Sequence, residues 1–172
     1  MRELREARRL SVRTLAAQAG FSASFISQVE NGQASPSIAS LERIAAALGV
    51  TLFEFFQASV AGTSTVVRRS ERPLIESIWS RAKIEALGLE RSRLEPVMIT
   101  LLPGGSSGKR PHANSREEFA LICSGEVTLC FDAEEHVLKR GDSVTILPQR
   151  PRRWLNHSSD LAEILVVAAK FT

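Results

Sequence analysis

Cysteine is scarce in this chain, apolar runs are short, and neither sign of charge dominates. Two cysteines among 172 residues, Cys123 and Cys130, make no disulfide framework and call for no oxidising compartment. The longest purely apolar run, residues 164–169, is six residues long, against the roughly 20 that a membrane-spanning helix needs. Arg2, Glu3, Arg5 and Glu6 occupy the first turn, where the apolar stretch of a secretory signal would have to begin. The expectation from these absences is a cytoplasmic protein with no membrane partner. Apolar matter is nevertheless ample for packed cores, at 44% hydrophobic residues beside 24% charged.

The charge sum, 22 basic against 19 acidic residues, is only +3 and does not by itself establish nucleic-acid binding. Its distribution says more. Arg2, Arg5, Arg8, Arg9 and Arg13 stand against two glutamates in residues 2–13, while residues 14–60 hold one basic and three acidic residues. Alone, such a run is an ordinary solvated helix face, and only its context gives it meaning.

Residues 2–56 carry helical periodicity throughout. Val12, Leu15, Ala16 and Ala19 form one apolar stripe, with Ser11 as N-cap and Gly20 as a left-handed stop. Ser22 caps the next helix after only two residues. Phe21 and Ile26 are spaced for a hydrophobic staple, Ile26 and Val29 face inward, and Asn31-Gly32 ends the helix. Ser35-Pro36-Ser37 opens another, with Ile38, Leu41, Ile44, Ala45 and Leu48 inside and Gly49 as its stop. A first helix over Arg2–Arg9 and a last one over Leu52–Phe56 complete five. The last offers Leu52, Phe55 and Phe56 to the same helical core.

The pair Val12–Ala19 and Ala23–Glu30, joined by Gly20-Phe21, reads as a helix-turn-helix whose second helix projects its N-terminal residues toward major-groove base edges. Ala23, Ser24, Ser27 and Gln28 are the residues offered. Gln28 suits bidentate pairing with adenine, the serines suit most base edges, and Ala23 suits a thymine methyl. The helix starts at Ser11 and Ser22 present backbone N–H groups to phosphates, and Arg13 adds a salt-sensitive contact. The run LSVRTLAAQAG, SASFISQVENG and PSIASLERIAAALGV resembles the DNA-binding domain of the Cro/C1-repressor type, the XRE family, over nearly all of residues 2–56. The resemblance implies operator contacts at Ser22, Ala23, Ser24, Ser27 and Gln28. It also implies a buried ion pair between Arg5 and Glu30. Family members carry several more residues ahead of the position of Arg2.

From Ala58 to Ser70 the pattern lapses, giving the division 1–57 helical domain, 58–70 linker and 71–172 second domain. Beyond it the period changes to two. Val97–Leu102, Phe119–Cys123, Val127–Phe131, Val144–Leu147 and Leu161–Ala168 read as strands separated by Gly and Pro turns, which argues for a sandwich or barrel. Residues 73–93 stay unassigned. Ser124-Gly125 reads as a hairpin turn, with Cys130 opposite Phe119, so that Cys123 and Cys130 remain unbridged buried thiols.

The stretches PGGSSGKRPHANSREEFALICSGEVTL and RGDSVTILPQRPRRWLN resemble the cupin fold. Metal-binding cupins use three histidines and a glutamate. By that resemblance His112 and Glu118 are kept, Asn114 stands at the second histidine position, and the third is Arg152 or Arg153 depending on the direction of counting. A guanidinium has no lone pair for a metal, and His136 and His157 sit among turn-like polar residues. Neither a metal, a cofactor nor a catalytic residue is therefore expected. Arg110, His112, Asn114, Glu118, Arg152, Arg153 and Trp154 form instead a candidate effector site at the barrel mouth, suited to an amino acid, amine or organic acid.

The expectation is a two-domain α+β protein: a five-helix Cro/C1-type bundle followed by an all-β cupin. It is a sequence-specific DNA-binding regulator, acting as a repressor on a double-stranded operator. A homodimer spans half-sites about 34 Å apart, and a small metabolite modulates it. A metal-dependent cupin enzyme with a helical appendage, and a scaffold that binds protein through its helices, are the alternatives.

Overall fold

A computed structural model describes residues 1–57, 65–89, 92–131 and 133–169. Its helices are α1 (Arg2–Ala7), α2 (Val12–Ala19), α3 (Ala23–Glu30), α4 (Ile38–Ala47) and α5 (Leu52–Gln57). The caps of α2, α3 and α4 fall at short polar residues. The hydroxyls of Ser11, Ser22 and Ser37 accept from the backbone N–H groups of Thr14, Phe25 and Ser40 at 3.0, 3.1 and 3.2 Å. Gly20 closes α2 at φ 68°, a left-handed conformation that costs a residue with a Cβ. Leu15, Ala16, Ala19, Ile26, Ile44 and Leu48 are buried together as the helical core, with Phe21 packed at its edge. The Phe21 ring lies 4.9 Å from that of Phe25.

The strands are β1 (Leu74–Ser77), β2 (Ala82–Ala86), β3 (Leu94–Leu101), β4 (Glu118–Ser124), β5 (Glu126–Phe131), β6 (Glu134–Lys139), β7 (Ser143–Ile146), β8 (Arg152–Leu155) and β9 (Ala162–Ala169). They build a six-stranded sheet, β1-β2-β3-β9-β4-β7, facing a three-stranded one, β6-β5-β8, with the apolar faces enclosed between them. All described pairings are antiparallel. Residues 73–93, unassigned from sequence, supply the edge hairpin β1–β2, and β6 and β8 were not foreseen either. A short 3₁₀ turn, Arg69–Glu71, straddles the end of the 58–70 stretch expected to be linker, and residues 58–64 of that stretch fall outside the described residues.

Ser124-Gly125 is not a hairpin turn. β4 pairs with β7 and β9, whereas β5 pairs with β6 and β8, so this corner carries the chain from one sheet to the other. Gly125 makes the corner at φ 72°, where a Cβ would stand 2.5 Å from the Leu161 carbonyl oxygen. Cys130 accordingly faces Glu135 and Arg153 rather than Phe119, and both thiols are free.

The helical and β cores also meet. Ile38 of α4 and Phe53 of α5 belong to the β core, with Leu52 packed against it, while Phe55 turns back to the helical core. The expectation that α5 serves only the helical core is corrected in this respect. The side chain of Phe56 lies outside the described residues. Polar contacts flank the seam: Ser35 Oγ donates to Glu76 O at 2.8 Å and Ala39 N donates to Ser107 O at 3.0 Å.

Candidate functional site

Two surfaces carry chemistry. On the first, α3 holds Ser24 and Gln28 one turn apart and exposed, with Ser22 exposed at the cap and Ser27 half-buried between them. Ala23 is half-buried and packs on the helical core, so it offers only an edge of its methyl. Ser11 and Arg13 are exposed at the start of α2. The hydroxyls of Ser11 and Ser22 are engaged as caps with Thr14 and Phe25, which leaves the other first-turn N–H groups of α2 and α3 free of the cap hydroxyls.

An ion pair fixes α1 against α3. Arg5 donates from Nε and Nη2 to the two carboxylate oxygens of Glu30 at 2.8 and 3.0 Å, and from Nη1 to the Leu10 carbonyl at 3.0 Å. Arg2 reaches Glu30 and Asn31 as well, at 3.5 and 2.6 Å. Hydrogen bonds from Arg5 hold the Glu30 carboxyl below its ordinary range. The turn has a second brace that the periodicity did not reveal. Arg43 of α4 donates to the carbonyls of Ala19 and Gly20 at 2.7 and 3.1 Å and stacks 4.4 Å above the Phe21 ring.

The second surface lies at the barrel mouth. The pleat of β8 turns Arg152 and Trp154 inward and Arg153 outward, which resolves the two ways of counting in favour of Arg152. Arg152 is buried between two carboxylates. Its Nη2 lies 2.5 Å from Glu118 Oε2 and 3.5 Å from Glu42 Oε1, and its Nη1 donates to the His112 carbonyl at 3.2 Å. His112 Nε2 lies 3.2 Å from Glu42 Oε2. Asn114 Nδ2 donates to Glu118 Oε1 at 2.8 Å. Beside it Arg116 pairs with Glu95 at 2.7 Å, and Thr51 Oγ1 donates to the other Glu95 oxygen at 3.1 Å.

Of the residues named from sequence, the fold brings together His112, Asn114, Glu118 and Arg152. It does not bring in the other three. Arg110 is exposed on an outer groove, Arg153 reaches out to the Lys109 carbonyl at 3.1 Å, and Trp154 is a wholly buried core residue. Glu42, Glu95 and Arg116 were missed. Glu42 sits on α4 in another domain, where a lone charge on a helix reads as solvated, and no linear pattern tells otherwise.

The electrostatics follow from burial. Desolvation and the Arg152 charge push His112 down to about 4, so its imidazole is neutral. Desolvation raises Glu42 and Glu118 despite their pairing with Arg152. Three carboxyls thus face two guanidiniums and a neutral imidazole. This donor set does not fit a metal: Arg152 fills the place of the third histidine, carries positive charge and offers no lone pair.

A capped helix pair presenting polar side chains, joined to a double-sheet barrel, defines a class: a DNA reader with an appended barrel domain. Residues 1–55 match the helix-turn-helix family model and residues 97–168 the cupin domain model. The chain thus joins a helix-turn-helix domain to a cupin domain, the architecture of a DNA-binding transcriptional regulator. It is 28% identical over 165 residues to the HTH-type transcriptional regulator PuuR of Escherichia coli (strain K12), covering 95% of this chain and 89% of that one. A crystal structure of an HTH_3 family transcriptional regulator from Vibrio cholerae superposes with a TM-score of 0.75 at 27% identity, covering 99% and 93% of the two chains. Hydroxypropylphosphonic acid epoxidase from S. wedmorenis shares the fold alone, at TM-score 0.52 and 18% identity over 97% of this chain and 93% of that one.

Proposed function

We propose that this regulator is a ligand-responsive repressor. It reads its operator as a homodimer in the cytoplasm, through Ser24, Ser27 and Gln28 with phosphate contacts at Ser11, Arg13 and Ser22. The barrel senses a small metabolite at Arg152, Glu118, His112 and Asn114 and performs no catalysis. The observation that carries this reading is the pairing, in one chain, of an exposed recognition helix with an enclosed barrel whose third metal position is Arg152. A dimer is required because one recognition helix reads few base pairs, and two half-sites about 34 Å apart restore specificity. Among the described residues no helix is long and apolar enough to cross a membrane, which agrees with this reading.

The test is a gel shift on the region upstream of the chain's own gene, repeated with a metabolite panel, beside metal analysis of protein purified without chelators. Operator binding that a metabolite changes by roughly 5- to 150-fold, the usual range of allosteric coupling, is the expected result. One equivalent of tightly held iron, zinc or manganese would instead favour the enzyme reading.

A further inference from the structure

The barrel cavity around Arg152 is only about 40 Å³, room for about one water. Pockets that bind metabolites are typically about 300–1,000 Å³. The shortfall has a visible cause. Glu42 of α4 and Leu52 and Phe53 of α5 line that cavity, so the helical domain itself fills the mouth. An open cleft of about 470 Å³ leads in from outside along Glu42, Asn114 and Arg116.

The filling side chains are one carboxylate beside two apolar groups. A lid serving structure alone would need only Leu52 and Phe53. Glu42 adds a third carboxyl to a site with two guanidiniums, and it reaches Arg152 only at 3.5 Å. The Arg152 Nε is buried without a hydrogen-bond partner, so the guanidinium edge is not used to capacity. A free carboxylate can take a guanidinium through two parallel bonds, which Glu42, tethered to its helix, does not achieve.

Building on the sensor reading above, we propose that α4 and α5 occupy the effector's own place. The effector is a small monocarboxylate with a branched aliphatic or aromatic tail, and its carboxylate replaces Glu42 on Arg152. Its tail takes the volume of Leu52 and Phe53 against Ile84, Val97 and Val166. Effector in the barrel and helical domain seated on the barrel are mutually exclusive. Each effector bound therefore lifts the helical domain off the barrel, and α4 carries the helix-turn-helix turn with it through the Arg43 brace. Differential affinity for the two arrangements is the whole of the coupling.

Isovalerate and phenylacetate are the probes, titrated into the full chain by calorimetry. Glu42→Gln removes the competing charge and should tighten at least one of them on the order of ten-fold. A staple provides the converse. A Cβ at position 108 would stand 2.8 Å from the Ala39 Cβ, near enough to the usual ~3.5–4.5 Å of a disulfide for a shift of about 1 Å to seat one. Ala39→Cys with Gly108→Cys, in a Cys123→Ser, Cys130→Ser background, should bind neither acid when oxidised and regain binding when reduced. Equal binding by the oxidised and reduced forms would overturn the exclusion. Silence of the Glu42→Gln protein toward both acids would overturn the carboxylate assignment. If aliphatic amines then bind and release DNA, the sensor reading survives without this proposal. If nothing in either panel binds while operator binding persists, both fall.

Discussion

Glu42 and Arg43 are consecutive on α4 and serve opposite domains. Glu42 points into the barrel toward Arg152 and His112, while Arg43 clamps the carbonyls of Ala19 and Gly20 at the helix-turn-helix turn. One turn of one helix thus touches both the barrel cavity and the element that sets the pose of α3. Any shift of α4 relative to the barrel is felt at the DNA-reading surface through rigid secondary structure.

Arg43 is accordingly a residue whose loss should weaken DNA binding without its touching DNA. Arg43→Met forfeits two charge-assisted bonds at an exposed position, so the helical domain should lose about 1–2 kcal/mol. Gly20→Ala should cost more, because its φ of 68° disfavours a Cβ and that Cβ would run into the Arg43 guanidinium. Urea melts and operator titrations of both variants check the order. A Gly20→Ala protein as stable as wild type would contradict it.

Gln28→Ala should reduce operator affinity by about 1–3 kcal/mol and relax preference at one base pair. Arg13→Ala should weaken all sequences alike and lower the slope of log K against log salt by about one. Anisotropy titrations on operator and scrambled duplexes, at two salt concentrations, separate the two patterns. Identical behaviour of the two variants would remove the distinction between base and phosphate contacts.

Glu30 is 2% exposed and Arg5 10% at the side chain, so Glu30→Gln leaves a buried guanidinium short of its partner. The expected loss is about 3 kcal/mol, and Arg5→Met with Glu30→Met should restore much of it. Because the folded-state pKa of Glu30 is depressed, its contribution is present above the ordinary carboxylate value and disappears as pH falls below it. Thermal melts of the single and double variants decide the point. A double variant no better than the single would show that the pair is not the source.

His112 gives a pH signature of its own. Its folded pKa is about 4 against an ordinary 6.5, so the folded state binds the proton more weakly than the unfolded chain does. Its stabilising effect is complete above 6.5 and is lost as pH falls toward 4, at ~1.36 kcal/mol per unit, or on the order of 3 kcal/mol in all. Glu42 and Glu118, with raised values, act in the opposite sense and partly offset this in acid. The difference in stability between wild type and His112→Asn, measured at pH 7, 6 and 5, isolates the histidine. A difference constant with pH would refute the assignment.

The five helices, the serine caps of α2, α3 and α4 and five of the strands were legible in the sequence, because each rests on interactions within a few residues; the Arg5–Glu30 pair came from the resemblance of residues 2–56 to XRE-type domains. β8 escaped because Arg152-Arg153-Trp154-Leu155 looks like a polar loop until the pleat alternates it, and β6 because nearly all of its side chains face solvent. β2 had a readable signal, the alternation Ala82-Lys83-Ile84-Glu85-Ala86, that was passed over. Of the seven residues nominated for an effector site, His112, Asn114, Glu118 and Arg152 lie together at the barrel mouth. Arg110 and Trp154 were nominated by nearness in sequence and Arg153 by motif counting, and neither says which side of a strand faces the cavity.

Local patterning was enough to determine that this chain is a set of capped helices followed by β strands, since capping, helical period and strand alternation are short-range properties, and resemblance to the XRE and cupin motifs supplied DNA reading and the barrel. Only the folded arrangement decided that Ser124-Gly125 turns between sheets, that Arg152 rather than Arg153 enters the barrel, and that Glu42 closes it. Those three outcomes depend on pairing between residues as much as 110 positions apart, and no local preference encodes such a partner.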